Sequence, residues 1–533
     1  MRALALRHWP AGAALAALAL ILLLYAVLVL AQSADDFVYT LDDAYIHMAM
    51  AKNLAGHLVY GVSPAEFTSS SSSPAWVLLL AGIFAITGPW LYAPLALNLL
   101  AAIALIVVAD RWLAGFDMPA RGRAFALLAL VAAAPLAPLV VTGMEHILHI
   151  VACLVLIALA SEHLAAPPSA RARIELVLLC AVLPMLRYES LFLIAGLAGL
   201  LALRGRWYEM AGACLAATAS IGIYAVIADI HGWPPLPFSI FLKSGLHEAD
   251  LKGTLSLGNI LYTLGPGAAH RLLVAQPAWV ALGALGVALV LVQSWRERNF
   301  WSAPAASLLM VLPMVWLHAA FVRGDDAGRY DAYVVSLLIL AIAPIAWRSV
   351  HGWLVAGNRT MAAILVLCLS VPAGALSARA IKIVTFSLPW AQSIEQTTML
   401  AARFAAYQHP HGKIVVMELG ATAWSGDFRI VDMLGLGSLP VARLMWQRRY
   451  DRANALRLTE DFDLAIVFDD WFVTMFKAGP PPWRKIGRIV SENGLGGGID
   501  LYAPDQANAV ATRQALQDFA ARNRFKGKLI LPE

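Results

Sequence analysis

The sequence predicts a polytopic α-helical membrane protein that ends in a smaller α/β domain. Hydrophobic residues make up 60% of the 533 residues and charged residues only 14%, whereas a soluble globular domain carries about 25% charged residues. Apolar runs long enough to cross a bilayer recur as far as residue 376, and beyond it the apolar runs become short. This composition excludes a soluble protein.

The first apolar run covers residues 11–31 and follows "MRALALRH". It is about 20 residues long, which suits a membrane span better than the 7–15 apolar residues of a cleaved signal. No small-residue cleavage site follows it. We therefore predict an uncleaved first helix.

Ten further apolar runs bring the expected number of membrane spans to about eleven. They cover residues 95–108, 124–141, 147–160, 174–186, 191–203, 210–227, 272–292, 303–321, 333–347 and 361–376. Arginines occupy every second short loop, and basic loops face the cytoplasm. This pattern predicts an amino terminus inside, with loops 32–73 and 231–271 and everything after residue 377 outside.

The run "PAWVLLLAGIFAI", residues 74–86, does not fit this alternation as a full crossing. With about 13 residues it is short for a span and closer in length to an interfacial or re-entrant helix. Ser73 is its expected N-cap, and Pro74 suits the first helical position.

The chain beyond the last span predicts a second domain, so we divide it into a membrane domain, 1–380, and an extracytoplasmic α/β domain, 381–533. Strands are expected in "KIVVMELG", "FRIVDMLGLG", "DFDLAIVFDD" and "GGGIDLYAP", and helices at 394–407 and 439–455. The domain holds an acceptor, or it serves only as a lid or an assembly surface. "GLGGGID" precedes a strand and reads as a turn, not as a phosphate-binding loop.

Ionisable residues from five segments collect at the predicted outer membrane surface, where a buried charge needs a partner or a substrate. The alternative for each single residue is an ordinary interfacial charge. The set nevertheless indicates that a polar group binds there. Its members are Asp42, Asp43, His47, Glu145, His146, Arg187, Glu189, Lys243, His247, Arg323, Asp325, Asp326, Arg329 and Asp331.

The segment "DDAYIHMAMAKNLAGHLVYGVSPAEFTSSSSSPAW", residues 42–76, resembles the first extracytoplasmic loop of the GT-C glycosyltransferases. These are membrane enzymes that use polyprenyl-phosphate sugars, and the likeness is to the branch of terminal arabinofuranosyltransferases. "TGMEH", "RYES", "PLPFSIFLK", "GRYD" and "VDMLGLGSLPVAR" are similar to further motifs of that branch. Tyr188 stands where proline is commoner in the branch.

The resemblance implies direct inverting transfer from the lipid-linked donor to an acceptor hydroxyl, with a carboxylate as base. We expect Asp42 to be this base and Asp43 to bond the loop or His47. The alternatives are that Asp43 is the base, or that the acid only caps the helix. Asp35 and Asp36 match no motif of the branch and are interpreted as interfacial charges.

Cations are expected to neutralise the departing phosphate, because arginine binds phosphate bidentately and lysine acts as a point charge. The candidates are Lys243, Arg329 and Arg187, and the alternative for each is an ion pair with a nearby acid. Four residues are candidates for binding the sugar or the acceptor: Glu145, Glu189, His47 and Tyr330. No metal-ligand spacing is present, so no cofactor is predicted, although a divalent cation stays open.

The partners implied are a polyprenyl-phosphate sugar, a glycan, glycolipid or protein acceptor, and membrane lipid, with no nucleic acid. The resemblance favours arabinofuranose as the sugar and the bacterial inner membrane as the location, with the active site facing outwards. The main alternative is a transporter or flippase for lipid-linked saccharides. A transporter would place its charges near the bilayer midplane on broken helices.

Overall fold

The structure is a computed structural model that describes residues 2–32, 37–166, 168–243, 257–322, 328–479, 481–523 and 526–532. For residues 2–8, 29–32, 242, 243 and 257 it describes the backbone only. The amino-terminal three quarters of this chain are helical, and a mixed sheet follows.

The amino-terminal part consists of helices. Their bounds are Arg2–Gln32, Asp43–His57, Pro74–Thr87, Ala93–Ala114, Ala120–Ala133, Leu136–Val141, His146–Ala165, Ala170–Leu186, Ser190–Leu203, Trp207–Ile230, Phe238–Lys243, Leu257–Tyr262, Ala268–Ala275, Pro277–Glu297, Ala303–Phe321, Ala332–Val355 and Arg359–Ile394, with a π-helical turn at Thr263–Gly267.

Within the described residues, eight helices are long and apolar enough to cross a membrane, compared with the eleven spans expected. The runs at 174–186 and 191–203 form helices of only 17 and 14 residues. The run at 124–141 is divided into two helices, because Ala134 takes an extended conformation before Pro135, and a residue before proline disfavours the helical region. Hydropathy alone does not detect such a break.

The run at 74–86 forms a helix of 14 residues, Pro74–Thr87, with Pro74 at its first position. Ser73 precedes the helix, but its side chain makes no capping hydrogen bond. At about 1.5 Å per residue this helix reaches roughly 21 Å, less than the roughly 30 Å of a hydrocarbon core.

The last long helix continues beyond the boundary expected at residue 380. Arg359–Ile394 passes through a π-helical turn, Glu395–Met399, into Leu400–Gln408. Prolines 372 and 389 lie inside it. The helix therefore joins the membrane part directly to the carboxy-terminal domain.

The carboxy-terminal domain has six described strands: β1 is Lys413–Val416, β2 is Arg429–Asp432, β3 is Leu464–Val467, β4 is Arg484–Val490, β5 is Ile499–Ala503 and β6 is Lys528–Ile530. They form one sheet in the order β2-β1-β3-β5-β4-β6. Strand β1 lies parallel to β2 and β3, whereas β3–β5, β5–β4 and β4–β6 pair antiparallel. The helices between the strands are Gly420–Ser425, Leu439–Trp446, Arg452–Leu458, Asp469–Phe476 and Gln506–Arg522.

Two large apolar cores underlie this arrangement. One lies among the long helices of the membrane part. The other joins residues 38–93 to the carboxy-terminal sheet, so that Tyr45 and Trp76 belong to the same cluster as Val415. A hydrogen bond also joins residues 38–93 to the carboxy-terminal domain: the Ser70 hydroxyl donates to the Leu436 carbonyl at 2.6 Å. The first loop and the sheet thus pack as one body.

Candidate active site

A cavity of about 290 Å³ opens between the start of the Asp43–His57 helix and the carboxy-terminal domain. Its lining includes charged side chains and apolar side chains of the Arg359–Ile394 helix. The lining residues are Thr40, Leu41, Asp42, Asp43, Pro138, Thr142, Arg329, Ile383, Phe386, Ser387, Trp390, Ile394 and Glu418. Such a mixed lining suits a ligand with a polar head and an apolar chain.

Asp42 directly precedes the first helical residue, but its side chain makes no capping bond to its own helix. Its Oδ2 accepts the backbone N–H of Gly420 at 2.6 Å, and its Oδ1 accepts that of Ala421 at 2.8 Å. Burial raises the pKa of Asp42, and the two N–H groups oppose the rise only in part. Asp42 therefore lines the cavity while it is anchored on the carboxy-terminal domain.

Gly420 makes this anchoring possible. A β-carbon at position 420 would overlap the Asp42 carbonyl oxygen and would lie 2.9 Å from its Oδ2. Only glycine lets two backbone segments approach so closely. The requirement is local to this contact, because Gly479 in the same domain has open space where its β-carbon would be.

Asp43 bonds to a segment far along the chain. Its Oδ2 accepts a hydrogen bond from Arg329 Nη1 at 2.7 Å, and both residues line the cavity. Arg329 was expected as a phosphate ligand or as a member of an ion pair. In the structure it is ion-paired with Asp43.

Arg187 is held by two carboxylates. Its Nη1 donates to Glu145 Oε1 at 2.7 Å, and its Nη2 donates to Glu189 Oε1 at 2.6 Å. Glu145 also lies 3.6 Å from the Nδ1 of His47. Glu145, Arg187 and His47 are all buried. The ion pair left open for Arg187 is therefore the arrangement found, and His47 belongs to the same network.

The ring of Tyr330 lies near two arginines, Arg187 of the Glu145–Glu189 network and Arg329 of the pair with Asp43. The guanidinium carbon of Arg187 lies 5.4 Å from the centre of its ring, and that of Arg329 lies 4.8 Å from it. Both distances are within the range of cation–π interactions. Asp331, the next residue, is ion-paired with Arg379, an arginine of the last long helix that the sequence did not single out.

Several expected residues lie wholly or partly outside the described residues. Lys243 ends the Phe238–Lys243 helix, but its side chain lies outside the described residues. Asp35, Asp36, His247, Arg323, Asp325 and Asp326 also lie outside them. Among the described residues, no group of three or more His, Cys, Asp or Glu side chains is placed to hold a metal ion.

Glu418 is a cavity residue that sequence reasoning missed. It follows β1 by two residues, at the carboxyl end of a strand that pairs in parallel with both neighbours. Ligands of α/β sheets commonly bind at this edge, so the position in "KIVVMELG" was a usable signal. Burial and the nearby Asp42 raise the pKa of Glu418.

The comparisons with known proteins concern the fold. A family model described only as a domain of unknown function, DUF8728, matches residues 390–512, and no curated protein matches the sequence. The crystal structure of ArnT from Cupriavidus metallidurans bound to undecaprenyl phosphate is similar at a TM-score of 0.52 and 12% identity, over 92% of this chain and 98% of that one.

A second similar structure is the oligosaccharyltransferase of Archaeoglobus fulgidus in complex with zinc and sulfate. Its TM-score is 0.48 at 12% identity, over 92% of this chain and 73% of that one. The likeness to ArnT shows the fold alone. The chain is a polytopic helical membrane protein whose fold is similar to that of ArnT.

Proposed function

We propose that this protein is an integral membrane glycosyltransferase that uses a polyprenyl-phosphate sugar. The observation that carries the proposal is the cavity in which Asp42, Asp43 and Arg329 meet the apolar side of the last long helix. The fold of ArnT, whose structure contains undecaprenyl phosphate, supports the same donor class. Arabinofuranose is favoured as the sugar only by the sequence resemblance of the first loop.

The acceptor would be an extracytoplasmic glycan, glycolipid or protein hydroxyl. In the proposed reaction Asp42 takes the hydroxyl proton while the acceptor oxygen bonds to the anomeric carbon. The bond from that carbon to the phosphate oxygen breaks, and polyprenyl phosphate leaves with the electron pair. Attack and departure on opposite faces invert the anomeric configuration, and no protein-bound intermediate forms. Asp43 is the alternative base.

Arg329 is the cation that we assign to the phosphate. It is fixed by Asp43 and by the Tyr330 ring, and a fixed cation stabilises developing negative charge without further rearrangement. Lys243 is a second candidate at the end of its helix. Arg187 is assigned a positioning role, because Glu145 and Glu189 already balance its charge.

The proposed orientation follows from the basic loops of the sequence. It places the amino terminus in the cytoplasm and the cavity outside, in a bacterial inner membrane. Tagging each loop and testing its accessibility to a membrane-impermeant reagent checks this topology. A cytoplasmic position for residues 37–73 would overturn the proposal.

The decisive experiment incubates the purified protein with synthetic polyprenyl-phosphate sugars of several kinds and a mixture of hydroxyl acceptors. We expect one donor to be consumed and free polyprenyl phosphate to appear, and Asp42→Asn to abolish this. The alternative function, a transporter or flippase, predicts movement of intact lipid-linked sugar across proteoliposomes without release of polyprenyl phosphate.

A further inference from the structure

The carboxy-terminal domain contributes a side chain to the cavity through Glu418. Its Oε2 accepts a hydrogen bond from the Thr398 hydroxyl at 2.7 Å. Thr398 is buried in the π-helical turn that leads into the domain. Glu418 is therefore held on the domain side of the cavity, whereas Ile383, Phe386 and Trp390 lie on the membrane-helix side.

The carboxyl oxygens of the cavity differ in how they are used. Both oxygens of Asp42 accept backbone N–H groups, and Oδ2 of Asp43 accepts the Arg329 guanidinium. Of the two carboxyl oxygens of Glu418, Oε2 is the one that has a hydrogen-bond partner within the described part of the chain. The second oxygen, Oε1, is the one left for a ligand.

The protonation state of Glu418 follows from its surroundings. Burial and then the charge of Asp42 raise its pKa to about 8; the hydrogen bond from Thr398 opposes this rise, and Asp43 adds a smaller contribution to it. Arg329 is the other charged residue that lines the cavity. Glu418 is thus mostly neutral at pH 7. With the Thr398 hydroxyl donating to Oε2, a neutral Glu418 can carry its proton on Oε1 and donate a hydrogen bond to a ligand.

We propose that Glu418 is a specificity-determining residue that binds a hydroxyl-bearing acceptor sugar and positions it beside Asp42. The inference rests on the proposed glycosyl transfer. The acceptor is assigned here because the apolar wall and Arg329 suit the lipid phosphate, and a neutral carboxyl cannot balance a phosphate charge. The carboxy-terminal domain then takes a direct part in acceptor selection and is more than a lid.

The test measures acceptor and donor KM separately for Glu418→Leu and Glu418→Gln. Loss of one hydrogen bond is worth about 1.4 kcal/mol, so we expect Glu418→Leu to raise acceptor KM about tenfold. Donor KM should stay within about twofold of wild type. Glu418→Gln keeps a donor group and should change acceptor KM less than about threefold.

The pH profile adds a readout that a purely structural role would not move. As the pH rises through about 8, Glu418 loses its proton, and the carboxylate that forms can no longer donate a hydrogen bond. Acceptor KM of the wild type should therefore rise above pH 8, and Glu418→Gln should lack this rise. Thr398→Val, which removes the orienting hydroxyl, should raise acceptor KM by a smaller factor and also serves if Glu418→Leu does not fold.

Glu460→Leu and Glu460→Gln are the matched controls, because Glu460 is an exposed acid of the same domain. The inference is overturned if Glu418→Leu leaves acceptor KM unchanged, or if kcat alone falls. It is also overturned if Glu418→Gln is as damaging as Glu418→Leu. These results require a wild type that transfers sugar, whereas a wild type that consumes no donor would refute the proposed function itself.

Discussion

Two groups of charged residues differ in how their charges are balanced. The Arg187 group consists of Arg187, Glu145 and Glu189, and the cavity group consists of Asp42, Asp43, Arg329 and Glu418. In the Arg187 group one buried guanidinium bonds two carboxylates, Glu145 and Glu189. In the cavity group, Asp42 is bound by backbone N–H groups only, among the described residues. Its pKa is raised, as is that of Glu418.

This difference separates two uses of buried charge. A paired buried ion holds neighbouring segments in place, and breaking it leaves the other charge uncompensated. A carboxyl with a raised pKa, beside an open cavity, is instead prepared to exchange a proton with a ligand. We therefore expect substitutions in the Arg187 group to affect stability first and those in the cavity group to affect the rate.

The largest effect is expected for Asp42→Asn. Loss of a general base reduces the rate by about 10²–10⁴-fold, so transfer should fall by about a thousandfold. Single-turnover release of polyprenyl phosphate measures this loss. The thermal unfolding midpoint in detergent should fall only modestly, because Asn keeps one of the two acceptor oxygens that bond the domain backbone. If Asp43→Asn removes activity and Asp42→Asn does not, the two acids exchange roles.

Arg187→Met should destabilise the protein by about 3–5 kcal/mol, because it leaves the buried Glu145 carboxylate and the half-buried Glu189 carboxylate without their cation. Thermal unfolding in detergent measures the effect. Arg329→Met is the matched comparison, since Arg329 bonds the half-buried Asp43 at the cavity. It should unfold closer to wild type and lose activity instead. Equal destabilisation by both substitutions would remove the distinction between the groups.

Gly420→Ala should reduce kcat/KM by about thirtyfold through a displaced Asp42, because a misplaced catalytic group can lower the rate by up to about 10²-fold. Gly479→Ala, in open space within the same domain, should behave as wild type. Steady-state transfer by the two variants, purified in parallel, provides the comparison. Equal activities would show that Asp42 does not depend on this contact.

The pH dependence should show the state of Asp42. Burial raises its pKa to about 6, and the base acts only when it is ionised. The rate therefore rises with pH through this value, so that kcat/KM at pH 5 is about tenfold lower than at pH 7. A pH–rate profile measures the midpoint. An acid limb near pH 4, typical of a solvated aspartate, would contradict the assignment.

The smallest effect is expected for Arg171→Ala. Arg171 is exposed and pairs with Glu175 one helical turn away at 2.7 Å. Surface ion pairs of this kind contribute little. Thermal unfolding and transfer should both match wild type. This variant therefore sets the baseline against which Arg187→Met is judged.

Much of the fold could be predicted from the sequence, because long apolar runs and β-branched runs are local signals. Eight of the eleven expected spans coincide with long apolar helices among the described residues. Strand β4, "RKIGRIV", was missed because its charged residues hide the apolar alternation. The split at Pro135 was missed because hydropathy is averaged across it.

The site was harder to predict, because its contacts join distant segments. Asp42 and Gly420 are separated by 378 positions in the chain, and Asp43 and Arg329 by 286. The residues of the first loop and Arg329 in "GRYD" carried a recognisable pattern, but Gly420 and Glu418 did not. Whether Asp42 is the base stays a prediction until transfer is measured.

The joint packing of the first loop and the carboxy-terminal domain bears on how the protein can be engineered. The Asp42 carboxylate and the Ser70 hydroxyl both bond the domain backbone. A chimera that exchanges only the domain would meet a loop whose shape does not fit it. Recombination with a homologue should therefore transfer residues 37–93 and 390–532 as a single module.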